Sequence, residues 1–321
     1  MSSPVLSADT VLTRSLDEVV GAATPVVSVA PVSLEAPGRT LGLQVRVSAP
    51  ATGSDLPVIV FSHGNGQSLD SYAPLVSHWA SHGFVVIQPT HLDSRRNGIT
   101  LDDPRYPTIW STRVDDLGQV IDQLDTIEAA VPGLAGRLDR TRIAAVGHSW
   151  GGQSVGMLLG ARVLDADNAP GQSRTDPRVT AGILLTSTGT GGTELNPFAA
   201  EHFPFMNPDF AQLFTPTLVV AGDHDQSRMS SRGPDWFTDA YVLSPGATEL
   251  LTMFGAEHGL GGISGYEVAE TTDENPERVA IVARLTTAYL RSALNEGDDT
   301  WARATAVLAG SDEPIGRVDR K

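Results

Sequence analysis

From residue 57 onward, short continuous apolar runs alternate with longer stretches of helical periodicity. PVIVFSHG (57–64), GFVVIQPT (83–90), RIAAVGHS (142–149), VTAGILLTS (179–187), PTLVVAGDHD (216–225) and TELLTMFGAEHG (248–259) each hold an apolar core bounded by Gly, Pro or polar residues. Runs of this kind suit strands buried on both faces of a parallel sheet. Between them, SYAPLVSHWASH (71–82), STRVDDLGQVIDQLDTIEAA (111–130), the segment after Gly152 and ERVAIVARLTTAYLRSAL (277–294) read as helices. The alternation predicts a doubly wound α/β fold with a mostly parallel central sheet and helices on both faces. Upstream, VVSVAPVSLEA and LGLQVRVSAP alternate apolar with polar positions, as an antiparallel edge does. No repeat or linker divides the chain, which reads as one domain over residues 1–321 with its core at about 40–295.

Two connections exceed what a turn needs: residues 91–110 and 188–215. The second reads as a cap-like insertion or a long active-site loop. Both follow the carboxyl ends of predicted parallel strands, where open α/β sheets place their binding crevice.

Composition narrows the function. With 38 acidic against 22 basic residues the formal net charge is −16, which disfavours nucleic acid or an anionic membrane surface as partner. There is no cysteine, so disulfides, thiolate metal sites and a cysteine nucleophile are excluded. No stretch approaches a membrane span, and the start of the chain lacks the basic-then-apolar pattern of a signal peptide, so the expected location is the cytoplasm.

The candidate chemistry centres on GHSWGG (147–152), directly after the apolar run RIAAV. Glycines around one serine suit an ordinary strand-to-helix turn, and equally a nucleophile elbow, in which the serine is held on a sharp turn. A serine hydroxyl needs a base, and that base needs a carboxylate to fix its tautomer. His258 in GAEHGLGG and Asp225 in GDHD follow successive strands, in the chain order Ser, Asp, His of one hydrolase architecture. His202 and His224 are rival bases and Asp223 a rival acid. Donors to a developing oxyanion are expected from the amide of Trp150 and, in the loop SHGNGQS (62–68), from Asn65. Tyr106, Trp110, Phe198, Phe203, Phe205 and Met206 in the long loops, with His148 beside the serine, are candidates either to wall a substrate pocket or merely to pin those loops.

Taken together, FSHGNGQSLDSYAPLVSHWASHGFVVIQPTH, the helix with STRVDDLGQVIDQL and the GHSWGG turn resemble the α/β-hydrolase superfamily over about residues 40–295. The nearest branch contains platelet-activating-factor acetylhydrolases, chlorophyllases, dienelactone-hydrolase-like proteins and cutinase-like polyester hydrolases. The resemblance implies hydrolysis of a small-molecule carboxylic ester through an acyl-enzyme, with Ser149 as nucleophile, His258 as base, Asp225 as acid, Asn65 and Trp150 as oxyanion donors, and no metal or cofactor. In the acetylhydrolases and chlorophyllases the acid stands after the strand following the elbow, whereas here ILLTSTGTG offers no carboxylate there. An acyltransferase or cofactor-free perhydrolase on the same fold, and a non-catalytic binding protein, are the alternative readings; oligomeric state is not legible.

Overall fold

The structure is a computed structural model, and it describes residues 8–39, 41–268 and 271–321. Nine strands form one mixed sheet: β1 (Val26–Leu34), β2 (Leu43–Pro50), β3 (Leu56–Ser62), β4 (Val85–Pro89), β5 (Leu138–His148), β6 (Val179–Leu185), β7 (Thr217–Gly222), β8 (Glu249–Met253) and β9 (Gly316–Arg320). Their spatial order is β1-β2-β4-β3-β5-β6-β7-β8-β9. The six strands from β4 to β8 are parallel, and β1, β2 and β9 run antiparallel to their neighbours. The α/β class, the mostly parallel sheet and the antiparallel N-terminal edge agree with the pattern of the chain. The second antiparallel edge, β9, carries the polar sequence GRVDR, which has no strand signature of its own.

The helices are α1 (Ala8–Val20), α2 (Ala73–Ser81), α3 (Ile109–Asp122), α4 (Leu124–Ala130), α5 (Trp150–Leu158), α6 (Pro197–His202), α7 (Asp239–Leu243), α8 (Pro276–Leu294) and α9 (Thr300–Ala309). They cover both faces of the sheet. In β3 the pleat sends Val58 and Val60 to a core shared with α3, α4 and α5. It sends Ile59 and Phe61 to a second core shared with α1, α2, α8 and α9. All four side chains are fully buried, each burial contributing roughly 1.5–3 kcal/mol, which is why the run has no polar position. Among the described residues no helix is long and apolar enough to cross a membrane.

Two helical expectations need correction. The stretch 111–130 is two helices, because Gln123 leaves the helical region and its amide pairs with both backbone groups of Glu35, at 2.8 and 2.7 Å. The helix at 277–294 begins one residue earlier, at Pro276. Pro276 takes the first helical position, and the Asn275 side chain accepts a bond from the Arg278 amide at 2.9 Å.

Candidate active site

The turn at GHSWGG is imposed by close packing. Strand β5 ends at His148 and α5 starts at Trp150, so Ser149 alone makes the corner, at φ 55° and ψ −123°. A non-glycine residue rarely adopts such angles, and such strain concentrates at functional sites. The flanking glycines are required by contact: a Cβ on Gly147 would stand 2.2 Å from the Gly151 carbonyl oxygen, and one on Gly151 would stand 2.0 Å from that of Ser62. A serine at the start of a helix ordinarily caps it. The Ser149 hydroxyl makes no such bond, and turns outward instead.

It meets His258. The Ser149 hydroxyl lies 2.9 Å from His258 Nε2, and His258 Nδ1 donates to Asp225 at 2.9 Å. Asp225 follows β7 and His258 follows β8, so parallel neighbours deliver acid and base to one end of the sheet. The Asp225 carboxyl is fully buried, and this burial raises it above the usual carboxylate range against the pull of His258. A serine joined in this way through an imidazole to a buried carboxylate is arranged to surrender its proton to the ring.

Two further side chains hold His258 in place. His148 donates from Nε2 to the His258 carbonyl at 2.8 Å, and Thr186 donates to the same oxygen at 3.2 Å. Since that carbonyl only accepts, the His148 proton sits on Nε2, and Nδ1 accepts from the Tyr72 hydroxyl at 2.7 Å. Tyr72 in turn accepts from the Gly64 amide at 3.0 Å. The Gly64 amide is thus committed to Tyr72, and the amide of Asn65 is the next donor along the loop. Burial, followed by the neighbouring His258, lowers His148 to about 3, so it is neutral at physiological pH. His148 is therefore a strut with both ring nitrogens engaged, not a free polar group in the pocket.

Beneath this constellation lies a buried polar network. Arg113 on α3 pairs with Asp93 at 2.5 and 2.7 Å, and both side chains are 1% exposed. His91 bridges Ser62 (2.9 Å) and Asp116 (2.8 Å), and Asp116 is also bonded to Arg39 at 2.7 Å. His63 donates from Nδ1 to the Gly64 carbonyl at 2.7 Å and accepts at Nε2 from the His91 amide at 3.0 Å. Burial, then Arg113, lowers His63 to about 4. Burial pushes Asp93 upward, but Arg113, His63 and the Gly66 amide outweigh it and leave the carboxyl below its ordinary range. None of Asp93, Arg113, Tyr72 or Asp116 stood out in the sequence reading. One signal was available: Arg113 and Asp116 sit among Ile109, Val114, Leu117, Val120 and Ile121 on the inward face of α3, where charged residues are rare unless paired.

A cavity of about 730 Å³ opens over Ser149, lined among others by Gly64, Asn65, Trp150, His258, Phe203 and Met206. Met229, Trp236 and Phe237 complete its apolar wall; they come from the chain after β7, which the sequence reading did not single out. Phe205 and Trp110 line a different cavity, of about 490 Å³, although the Trp150 indole meets Phe203 and Phe205 edge-on at 5.2 and 5.3 Å. Tyr106 packs on Phe203 at 6.0 Å, and Phe198 is 47% exposed against His202 and Phe203. Another cavity of similar size, about 740 Å³, is lined by α3 and residues 174–178. Its Arg174 and Arg178 are paired with Asp115, Asp122 and Asp176, and no serine–histidine pair opens into it. His202 and Asp223 stand outside the relay; His224 lines the Ser149 cavity without joining it.

The sheet order, the strained serine between β5 and α5 and the acid and histidine after β7 and β8 are those of an α/β-hydrolase, and the chain has that fold. Within that class the family model described as Chlorophyllase matches residues 24–162, a stretch that holds the Asn65 loop and Ser149 but ends before Asp225 and His258. Chlorophyllase-1 of Arabidopsis thaliana is 25% identical over 194 residues, 60% of this chain and 51% of that protein. Chlorophyllase-2 of the same plant is 23% identical over 284 residues, 80% of this chain and 79% of that protein. The platelet-activating factor acetylhydrolase of Cavia porcellus is 28% identical over 138 residues, 32% of each chain. The chain thus spans about half the length of the first of these relatives and a third of the acetylhydrolase.

Proposed function

We propose that the chain is a serine hydrolase that cleaves carboxylic esters of small molecules through an acyl-enzyme. The observation that carries this reading is the continuous relay Ser149–His258–Asp225, opening into a cavity bordered by Asn65 and Trp150. His258 takes the Ser149 proton as the hydroxyl attacks the ester carbonyl, and Asp225 holds the ring tautomer and stabilises the imidazolium. The oxyanion settles on the amides of Asn65 and Trp150, each contributing about 3 kcal/mol. Trp150 opens α5, so its amide has no acceptor within the helix and is available to a ligand. The alcohol leaves with the His258 proton, and water repeats the sequence to free the acid.

Two further observations support an ester of modest size. The cavity volume falls within the roughly 300–1,000 Å³ of small-molecule sites, and its wall sets Phe203, Met206, Trp236 and Phe237 beside polar groups such as Arg95, Gln226, Arg228 and Glu257. The similarity to chlorophyllases and an acetylhydrolase supports ester cleavage as the chemistry.

The test is a fluorophosphonate probe with p-nitrophenyl esters from acetate to octanoate, applied to the wild type and to Ser149→Ala. Labelling at Ser149 and turnover in the wild type are expected, with both lost in the variant, by roughly 10⁶-fold in kcat on the precedent of other serine hydrolases. A folded wild type that neither labels nor hydrolyses any of these esters overturns the reading.

A further inference from the structure

The Arg113 guanidinium touches both segments that carry the proposed oxyanion amides. Toward the loop, its Nη2 donates to the His63 carbonyl and lies 3.5 Å from the Ser62 hydroxyl. Its partner Asp93 accepts the Gly66 amide at 3.1 Å. The loop is thus gripped on either side of Asn65, by a carbonyl two residues before it and an amide one residue after. Toward the helix, Arg113 Nε donates to the Ser154 hydroxyl at 3.2 Å, and that hydroxyl donates to the carbonyl of Trp150 at 2.9 Å. One planar, permanently charged group therefore spans the distance from the Asn65 loop to the first turn of α5. It does so at 1% exposure, where such bonds are strong and their geometry is set by packing.

We propose that Arg113, braced by Asp93, is the positioning residue of the oxyanion site: it fixes the separation of the Asn65 and Trp150 amides. The proposal rests on the hydrolase reading above. A guanidinium suits the task because its fork reaches Asp93, His63 and Ser154 in one plane. A lysine ammonium is a point charge that reaches Asp93 but not all three. Oxyanion donors act through geometry prepared before reaction, so a small change in their spacing falls on the chemical step and leaves substrate binding untouched.

The test compares the wild type, Arg113→Lys and Ser154→Ala as full chains. It measures kcat and KM on p-nitrophenyl butyrate, the inhibition constant of a trifluoromethyl ketone whose serine adduct carries an oxyanion, and thermal midpoints. Arg113→Lys is expected to lower kcat by roughly 10–100-fold, the effect of misplacing groups by about an ångström, with KM changed less than about twofold. Ketone affinity falls by the same factor as kcat. Ser154→Ala, which cuts only the tie to α5, lowers kcat and ketone affinity by about 3–10-fold. A purely structural role would lower the thermal midpoint and leave kcat per folded molecule and ketone affinity unchanged, and that result overturns the proposal. Should Arg113→Lys fail to fold, Ser154→Ala decides alone on the same two readouts. An inactive wild type is distinguishable from either variant result: it overturns the hydrolase reading, and this assignment with it.

Discussion

Ser149–His258–Asp225 and Ser62–His91–Asp116 are two serine–histidine–aspartate arrays in one fold, and their distances nearly coincide. In the first the two bonds are 2.9 and 2.9 Å; in the second they are 2.9 and 2.8 Å. Their surroundings differ in every respect that matters chemically. The His258 side chain is 43% exposed beside a cavity, whereas that of His91 is 0% exposed. Ser149 stands at a strained corner next to a helix start, and Ser62 is the last residue of β3. Asp225 faces its histidine, while Asp116 is also tied to Arg39. The buried array sits within the network that holds the Asn65 loop. Three matching side chains therefore do not define an active site; open space at the serine and prepared donors around it do.

Removing each carboxylate's charge gives the largest predicted contrast. Asp225→Asn is expected to lower kcat by about 10⁴-fold through the wrong histidine tautomer, with little change in stability. Asp116→Asn is expected to cost little stability, because burial already raises that carboxyl to about 7 and favours its neutral form, and the variant still labels with the probe. Urea melts beside single-turnover kinetics check both. Loss of labelling in Asp116→Asn would erase the distinction between the arrays.

Acidification sharpens the comparison next. His63, His78, His91 and His148 are held neutral by burial: His63 at about 4, His78 and His148 at about 3, and His91 well below its usual 6.5. In the unfolded chain they take up protons near pH 6.5, so between that pH and about 4 the unfolded state binds up to four more. Asp116, raised by burial to about 7, works in the opposite direction and offsets one of them. Stability is therefore full above pH 6.5 and falls as pH drops, by about 4 kcal/mol per pH unit for a net three protons. Urea midpoints at pH 7.5, 6.5 and 5.5 measure this, and His148→Gln is expected to flatten the slope by about 1.4 kcal/mol per unit. A stability profile flat from 7.5 to 5.5 would contradict it.

The smallest effect isolates the corner itself. Ser149→Gly removes the strain of a side chain at φ 55° and is expected to raise stability by about 1 kcal/mol while abolishing labelling. The matching substitution Ser62→Gly relieves no such strain and is expected to be destabilising. Denaturant melts of the pair show whether the strain is particular to the first array.

Most of the frame was legible because burial on both faces writes itself as uninterrupted apolar runs. All six runs from PVIVFSHG to TELLTMFGAEHG contain parallel strands, and GHSWGG marks the β5–α5 corner through glycines that close packing demands. The polar strand β9 and the break at Gln123 were not legible, because a neighbouring strand and the backbone of Glu35 decide them. The pocket was half legible. Phe203 and Met206 were singled out in the loop at 188–215, but Met229, Trp236 and Phe237 carry no local mark of facing Ser149.

By itself, then, the sequence determined the layers of the fold, the turn that must hold a serine between glycines, and the order in which serine, acid and histidine follow the strands. Only the tertiary structure decided which serine faces a cavity and which is sealed, that His148 braces the His258 backbone, and that Arg113 joins the Asn65 loop to α5. The reason is physical. Backbone periodicity and steric need are local and leave their trace in neighbouring residues. Solvent access and the partners of a buried charge depend on groups 20 to more than 100 positions apart along the chain, which meet only when the sheet is complete.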